Sequence, residues 1–387
     1  VIRKIKKILL PLMIIIGLLL SLAKERFDAP LFWIDHDLQK DLPVEQPVKL
    51  LSFDMQATPT KAVHSATSVE LKNGNILSMW YGGSREGHVD VALYSAEFNQ
   101  NTQTWSEPKK VLDRNDVAND LNRYIKKIGN PVLIKHPQGP IVLVYVSVSL
   151  AGWATSQLNM ALSYDDGQTW HASKRLVTSP FINISTLVKN DAVIYQDGTI
   201  GISGYHELLG EFSEMIRVTL DGVVVEKYRM SHGDNTIQPT LVITNKHEAF
   251  SIMRDSSRDV QRAHYTATQD AGVTWSEFEA LDVQNSNSAV FAFSDAKNRN
   301  WMVYNDQTRD MEHSRNNLVL AVSVDEGLTW KNVYYFENKE LSKELAEKYA
   351  YPWVQTASGG EFHLFYTWSR KEIKHTVFNQ AWLETLL

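Results

Sequence analysis

Ser163-Tyr-Asp165-Asp-Gly167-Gln-Thr169-Trp170 returns twice along the chain, as Thr268-Gln-Asp270-Ala-Gly272-Val-Thr274-Trp275 and Ser323-Val-Asp325-Glu-Gly327-Leu-Thr329-Trp330. A worn copy, Thr102-Gln-Thr104-Trp105, has lost its Asp and Gly. The phrase describes a turn that ties itself: the Asp carboxylate can accept backbone N–H groups, Gly supplies a left-handed position, and Trp anchors the turn on the core. Such a phrase specifies architecture and performs no chemistry.

Outward from the phrase, short β-rich runs alternate with turn signals from about Leu50 onward, among them Gly74-Asn-Ile-Leu-Ser-Met-Trp80 and Pro140-Ile-Val-Leu-Val-Tyr-Val-Ser147. An amphipathic helix is expected only over residues 339–348, as an excursion. From Trp105 to Trp170 is 65 residues, from Trp170 to Trp275 105, and from Trp275 to Trp330 55. The middle gap holds two units, because Asp197-Gly198 and Asp221-Gly222 mark turns inside it. Blades then begin near Ala62, Gly129, Ile184, Ile237, Ser288 and Tyr351. An all-β, six-bladed propeller over residues 50–387 follows, with a strand near Lys49–Met55 completing the last blade and closing the ring.

Composition bounds the rest. The 387 residues are 43% hydrophobic and 22% charged, enough for a large core, and no cysteine is present for disulfide or thiolate chemistry. A net charge of -6 excludes a general pull towards nucleic acid, so an acidic ligand needs a local cluster of cations. Arg3, Lys4, Lys6 and Lys7 precede an apolar run from Ile8 that closes with Ser21-Leu22-Ala23. Residues 1–23 therefore read as a secretory signal cleaved after Ala23, or as an uncleaved anchor through residues 8–22 in the inner membrane. The protein is expected outside the cytoplasm, periplasmic or extracellular, with residues 24–49 as a linker or clasp.

In a propeller, the first strands of all blades converge on one end of the channel, so residues distant in sequence meet there. His64 opens blade 1, and Gly82-Gly-Ser-Arg85-Glu86-Gly87-His-Val-Asp90 can project an adjacent cation and two carboxylates. Asn130-Pro131, Gln238-Pro239 and Tyr351-Pro352 open blades 2, 4 and 6, while Tyr205-His206-Glu207 places His beside Glu in blade 3. Arg254 and Arg315 stand at equivalent rims of neighbouring blades, where two guanidinium forks would clamp a carboxylate. Asn305 adds a polar group in blade 5. No metal-ligand spacing appears, and no cofactor is expected.

From His64 to the tail the chain resembles the sialidase superfamily, in particular its bacterial branch of predicted neuraminidases. The phrases that carry the likeness are the three Asp-Gly-Trp turns, similar to Asp boxes, with His64-Ser-Ala-Thr, Gly82-Gly-Ser-Arg-Glu-Gly87, Ile237-Gln-Pro239, Tyr351-Pro352 and Tyr366-Thr-Trp368. The resemblance implies three arginines on the sugar carboxylate, an Asp as acid/base, and a Tyr nucleophile activated by Glu. Arg254 and Arg315 match the second and third arginines and Tyr351 matches the nucleophile. His64 stands where the first arginine belongs and Gln238 where Glu belongs, while Glu86 or Asp90 lies in the acid/base loop.

The expected function is an exo-acting glycoside hydrolase on an acidic oligosaccharide or polysaccharide, working as a monomer. Tyr351 is the nucleophile, Glu86 or Asp90 the acid and His64 a base; Arg85, Arg254, Arg315, Gln238, His206 and Asn305 bind substrate. An ordinary phenol has a pKa of about 10, so a Tyr without a carboxylate partner forms little phenolate at neutral pH. Two other readings stay open: a lyase that eliminates across a uronate with His64 or His206 and Tyr351, and a noncatalytic glycan-binding or envelope propeller.

Overall fold

The computed structural model describes residues 30–34, 47–54, 59–180, 183–208, 210–232, 235–309, 314–338 and 348–387. The apolar segment at residues 1–23, much of the 24–49 linker and residues 339–347 of the expected helix lie outside the described residues. Among the described residues, no helix is long and apolar enough to cross a membrane.

Six antiparallel sheets follow one another along the described chain and form the six blades. Their first strands are Ala62–Glu70, Lys127–Lys135, Leu187–Ile194, Thr236–Ile243, Phe291–Ser294 and Tyr349–Thr356. These starts lie within three residues of the positions read from the repeat. The second strand of blade 2, Ile141–Val148, reads Ile-Val-Leu-Val-Tyr-Val-Ser-Val and is buried at every residue. A continuous apolar run of this kind forms a strand covered on both faces, as the middle of a propeller blade is.

The ring closes as expected. Leu50–Asp54 joins the outer edge of blade 6, pairing antiparallel with Glu372–Asn379 from Leu50↔Phe378 to Asp54↔Lys374. Phe53 packs its ring on Phe98 of blade 1 at 5.0 Å and on His375 at 5.4 Å. The closing strand therefore ties blade 6 to blade 1 through aromatic burial as well as backbone hydrogen bonds. Farther up the chain, Phe32 is buried against Tyr195, and Trp33 N–H donates to the Ile194 carbonyl at 2.7 Å.

Each intact repeat is a turn between the third and fourth strands of its blade. Asp165 accepts the Thr169 N–H at 2.9 Å and the Ser163 and Thr169 hydroxyls at 2.8 and 2.6 Å. Asp270 and Asp325 hold Thr274 and Thr329 in the same way, with N–H contacts of 2.8 and 2.9 Å. Gly167, Gly272 and Gly327 have φ between 83° and 86°, a region that favours glycine. In the worn copy, Asn99 takes over and accepts the Asn101 and Thr102 N–H groups at 3.0 Å. Because the first and third strands of a blade run the same way, these turns lie at the end of the propeller opposite the starts of the first strands.

Candidate active site

The first strands of five blades are interrupted by a register shift, at His64/Thr67, Gly129/Val132, Val188/Ala192, Ile237/Thr240 and Ala350/Trp353. A bulge re-aims a side chain out of the pleat. Ser65, Asn130, Gln238 and Tyr351 take left-handed φ values of 56°, 45°, 53° and 56° at these points. Three of them precede proline, which has no N–H to give to a ladder that the bulge has already broken. The sequence thus turns polar side chains of separate blades towards one end of the channel.

Tyr351 and Gln238 meet there. The Gln238 amide Nε2 donates to the Tyr351 phenolic oxygen at 3.0 Å and lies 3.2 Å from Tyr205 Oη. Gln238 Oε1 accepts Arg254 Nη1 at 2.9 Å, which fixes the amide with its NH2 towards the phenols. The His64 ring stacks on Tyr351 at 4.2 Å and 20° between planes, while His64 Nδ1 lies 2.9 Å from Thr367 Oγ1. Stacking brings the two rings together without a hydrogen bond between them. Burial, reinforced by Arg370, Arg315, Lys189 and Arg254, holds the His64 pKa well below its ordinary value, so the imidazole is neutral.

Beside Tyr351 two arginines share one strut. Asn287 Oδ1 accepts Arg254 Nε at 2.6 Å, and the Asn287 carbonyl accepts Arg315 Nη2. Neither guanidinium ion-pairs with a carboxylate among the described residues. Burial, then the neighbouring Arg254, lowers the Arg315 pKa to about 10, and Arg370 pushes the same way. Half-buried cations without an anionic partner are costly unless a ligand supplies the charge.

Arg370 is the third guanidinium in this field, and it comes from blade 6. It ion-pairs with Glu86, and its carbonyl accepts Val63 N–H at 2.9 Å, one residue from His64. His64, Tyr81, Arg85, Glu86 and Arg370 line one narrow cleft. A fourth cation lies beneath: buried Lys189 donates to the Pro352 carbonyl at 2.6 Å and to Asn190 at 2.7 Å, with Nζ 5.5 Å from the Tyr351 ring centre. Burial lowers the Lys189 pKa to about 7, with Asp191 opposing.

The structure brings together His64, Gln238, Arg254, Arg315 and Tyr351 as the sequence suggested, with Arg85 and Glu86 in the adjoining cleft. Asp90 is held within its own loop, accepting Ser84 N–H and Oγ at 3.0 Å and His88 Nδ1 at 2.7 Å. His206 is turned into blade 3, where Nε2 meets Glu214 at 2.7 Å and the ring stacks on Phe212 at 4.4 Å. Fully buried Asn305 donates to the Tyr349 and Asn317 carbonyls, so it props the strand that carries Tyr351 and does not face the cleft. Asn287, Arg370, Lys189 and Tyr205 complete the cluster, though the sequence assigns none of them a role. Asn287 and Arg370 give a weak signal in advance, being polar residues in short turns at blade edges.

Among the described residues no three His, Asp or Glu side chains gather as a metal would require. A roomier cavity of about 440 Å³ lies at the opposite ends of the first strands, lined by Trp33, Ile34, Glu248, Asp295, Ser358 and Phe362. It lacks the unpaired arginines and the Tyr–Gln pair, so chemistry points to the smaller cleft.

The sequence pattern of the BNR repeat-like domain matches residues 74–364. No curated protein matches the chain. Among solved structures, the Hadza microbial sialidase Hz136 is similar at TM-score 0.67 and 16% identity, over 85% of this chain and 67% of that one. The intramolecular trans-sialidase from Ruminococcus gnavus, in complex with oseltamivir carboxylate, is similar at 0.65 and 13%, over 86% and 97%. The Penicillium chrysogenum alpha-L-arabinanase complexed with arabinobiose is similar at 0.63 and 12%, over 88% and 100%. At such identities the likeness is one of fold.

Proposed function

The chain belongs to the BNR repeat-like domain family, within the sialidase-like BNR-repeat propellers, and from that premise we propose that it is a glycoside hydrolase that releases an acidic sugar from the end of a glycan. The observation that carries this reading is the pair of guanidiniums, Arg254 and Arg315, bridged by Asn287 beside Tyr351 and without a carboxylate partner among the described residues. A sugar carboxylate supplies the missing charge, and each planar guanidinium can present two N–H groups to it. Arg370 adds a third cation once the carboxylate competes with Glu86.

With the carboxylate clamped, the anomeric carbon lies near Tyr351 Oη. Gln238 donates to that oxygen, so it can stabilise developing negative charge there, although an amide cannot remove the phenol proton. Neutral His64 on the ring face supports a second reading, a lyase with an imidazole base and a phenol acid acting on a uronate. Calorimetric binding of N-acetylneuraminate, glucuronate and arabinose tests the clamp. Binding of an acidic sugar that Arg254→Ala and Arg315→Ala both weaken supports it; equal binding of the neutral sugar removes it.

A further inference from the structure

A glycosidase needs a proton for the departing oxygen, and both carboxyls that the sequence offers for this are committed elsewhere. Glu86 is ion-paired with Arg370. Asp90 accepts three hydrogen bonds inside its own loop; burial pushes its pKa up, but the bonds from His88 and Ser84 outweigh that and hold it below the ordinary aspartate value. A carboxylate held in its ionised form is a poor acid.

We propose that Glu207, from blade 3, is the proton donor of this site, an inference that rests on the hydrolase reading above. Glu207 follows Tyr205 by two residues, one residue past the end of the strand Ile200–His206, and its carboxyl lies close enough to the Tyr205 phenol and the Arg254 guanidinium for their charges to act on one another. Tyr205 lies on the floor of the site, 3.2 Å from the Gln238 amide that also holds Tyr351. Glu207 is half-buried where Tyr205 is buried, so it stands nearer solvent than the phenol, where a leaving group would emerge. Its backbone is fixed there: the N–H groups of Glu207 and Leu208 both donate to Ser185 Oγ at 2.9 Å.

The carboxyl group itself has no hydrogen-bond or ion-pair partner among the described residues, which leaves it free to meet a ligand. The charged and titratable groups around it are Arg254 of blade 4, Glu211 of its own loop and the Tyr205 phenol. Burial raises the Glu207 pKa, Arg254 opposes and Glu211 adds to the rise. Glu211 is engaged by the Ser256 hydroxyl and so is less free to act.

Tyr351 Oη bonds to the anomeric carbon and its proton passes to water, while the glycosidic C–O bond breaks with its electron pair on the leaving oxygen. That oxygen takes the Glu207 proton. In the second half water attacks the anomeric carbon and gives a proton to the Glu207 carboxylate, and Tyr351 leaves and recovers its own proton from solvent.

Two measurements on the intact protein test this. In the first, Glu207→Gln is assayed on sialyllactose, whose leaving group needs a proton, and on 4-methylumbelliferyl N-acetylneuraminate, whose leaving group does not. The expected kcat/KM loss is about 100-fold or more on the former and less than about 10-fold on the latter; equal losses overturn the assignment. In the second, glutamate carboxyls are titrated by carbon-13 NMR, with Glu207→Gln identifying the resonance. A midpoint above the ordinary glutamate value of about 4.3 is expected, and one at or below it overturns the proposal. If the wild-type protein cleaves neither sialoside, the sialidase reading fails on its own, and the titration still decides whether Glu207 carries a proton to give.

Discussion

Gln238 donates its side-chain amide to the phenolic oxygen of Tyr351 at 3.0 Å, across the channel from blade 4 to blade 6. Arg254 holds the other end of the amide, so the orientation is set and the Gln acts as donor. Gln238→Ala is expected to lower kcat/KM roughly 10- to 100-fold, the range of one or two hydrogen bonds involving charged groups. Gln238→Glu keeps the link to Arg254 and adds an acceptor for the phenol proton, so turnover at neutral pH should rise. Steady-state kinetics of the two variants check both outcomes; full turnover in the Ala variant would mean the contact is idle.

Arg254 and Arg315 are expected to act as a unit through Asn287. Arg254→Ala should reduce kcat/KM on an acidic substrate by about 100-fold or more, since each charged hydrogen bond contributes about 1.5–3 kcal/mol. Asn287→Ala, which touches no substrate, removes the Oδ1 that accepts Arg254 Nε but keeps the backbone carbonyl that holds Arg315, so it should act through Arg254 and raise KM more than it lowers kcat. A double-mutant cycle between positions 254 and 287 measures the coupling, and simple additivity would contradict it.

The blade count, the ring closure and the self-tied turns were legible in the sequence because each repeats or has a local cause. Asp and Thr four residues apart make the same contacts in every intact copy. Gln238 and Tyr351 were also legible, because blade-opening positions converge by topology. Arg370 was not: it reaches His64 only through closure of blade 6 on blade 1, a contact that no local pattern announces. His206 beside Glu207 reads from sequence as a substrate contact or as a structural histidine; strand alternation sends it into its own sheet, towards Glu214.

Acid should loosen the closure of the ring. His363 Nδ1 lies 3.0 Å from His375 Nε2 inside blade 6, and burial lowers the pKa of both, that of His363 to about 3. The unfolded chain protonates these histidines near their ordinary value of about 6.5 and the native one does not, so the unfolded state binds more protons below that pH. Stability is therefore full above about 6.5 and falls as pH drops towards 3, by at most about 1.4 kcal/mol per histidine per pH unit. Denaturant unfolding between pH 7 and pH 4, repeated with His363→Gln, reads the slope; an unchanged slope in the variant would remove the pair as its cause.

Phe53→Ala should destabilise the propeller by roughly 2–4 kcal/mol, because its ring joins the closing strand to Phe98 and His375. Thermal unfolding checks this. An unchanged Tm would mean that the backbone pairing of Leu50–Asp54 alone closes the ring.

The proposed reaction is hydrolysis that frees an acidic sugar, clamped by Arg254 and Arg315, from the end of its glycan. Mass spectrometry of the products from sialylated and uronate-containing oligosaccharides tests it most directly, with Arg254→Ala alongside. The wild-type protein is expected to release a free acidic monosaccharide, with products that together weigh one water more than the substrate, and Arg254→Ala to release almost none. Products whose masses sum to that of the substrate and which absorb in the ultraviolet would contradict it in favour of elimination, and intact glycans throughout would contradict it in favour of binding alone.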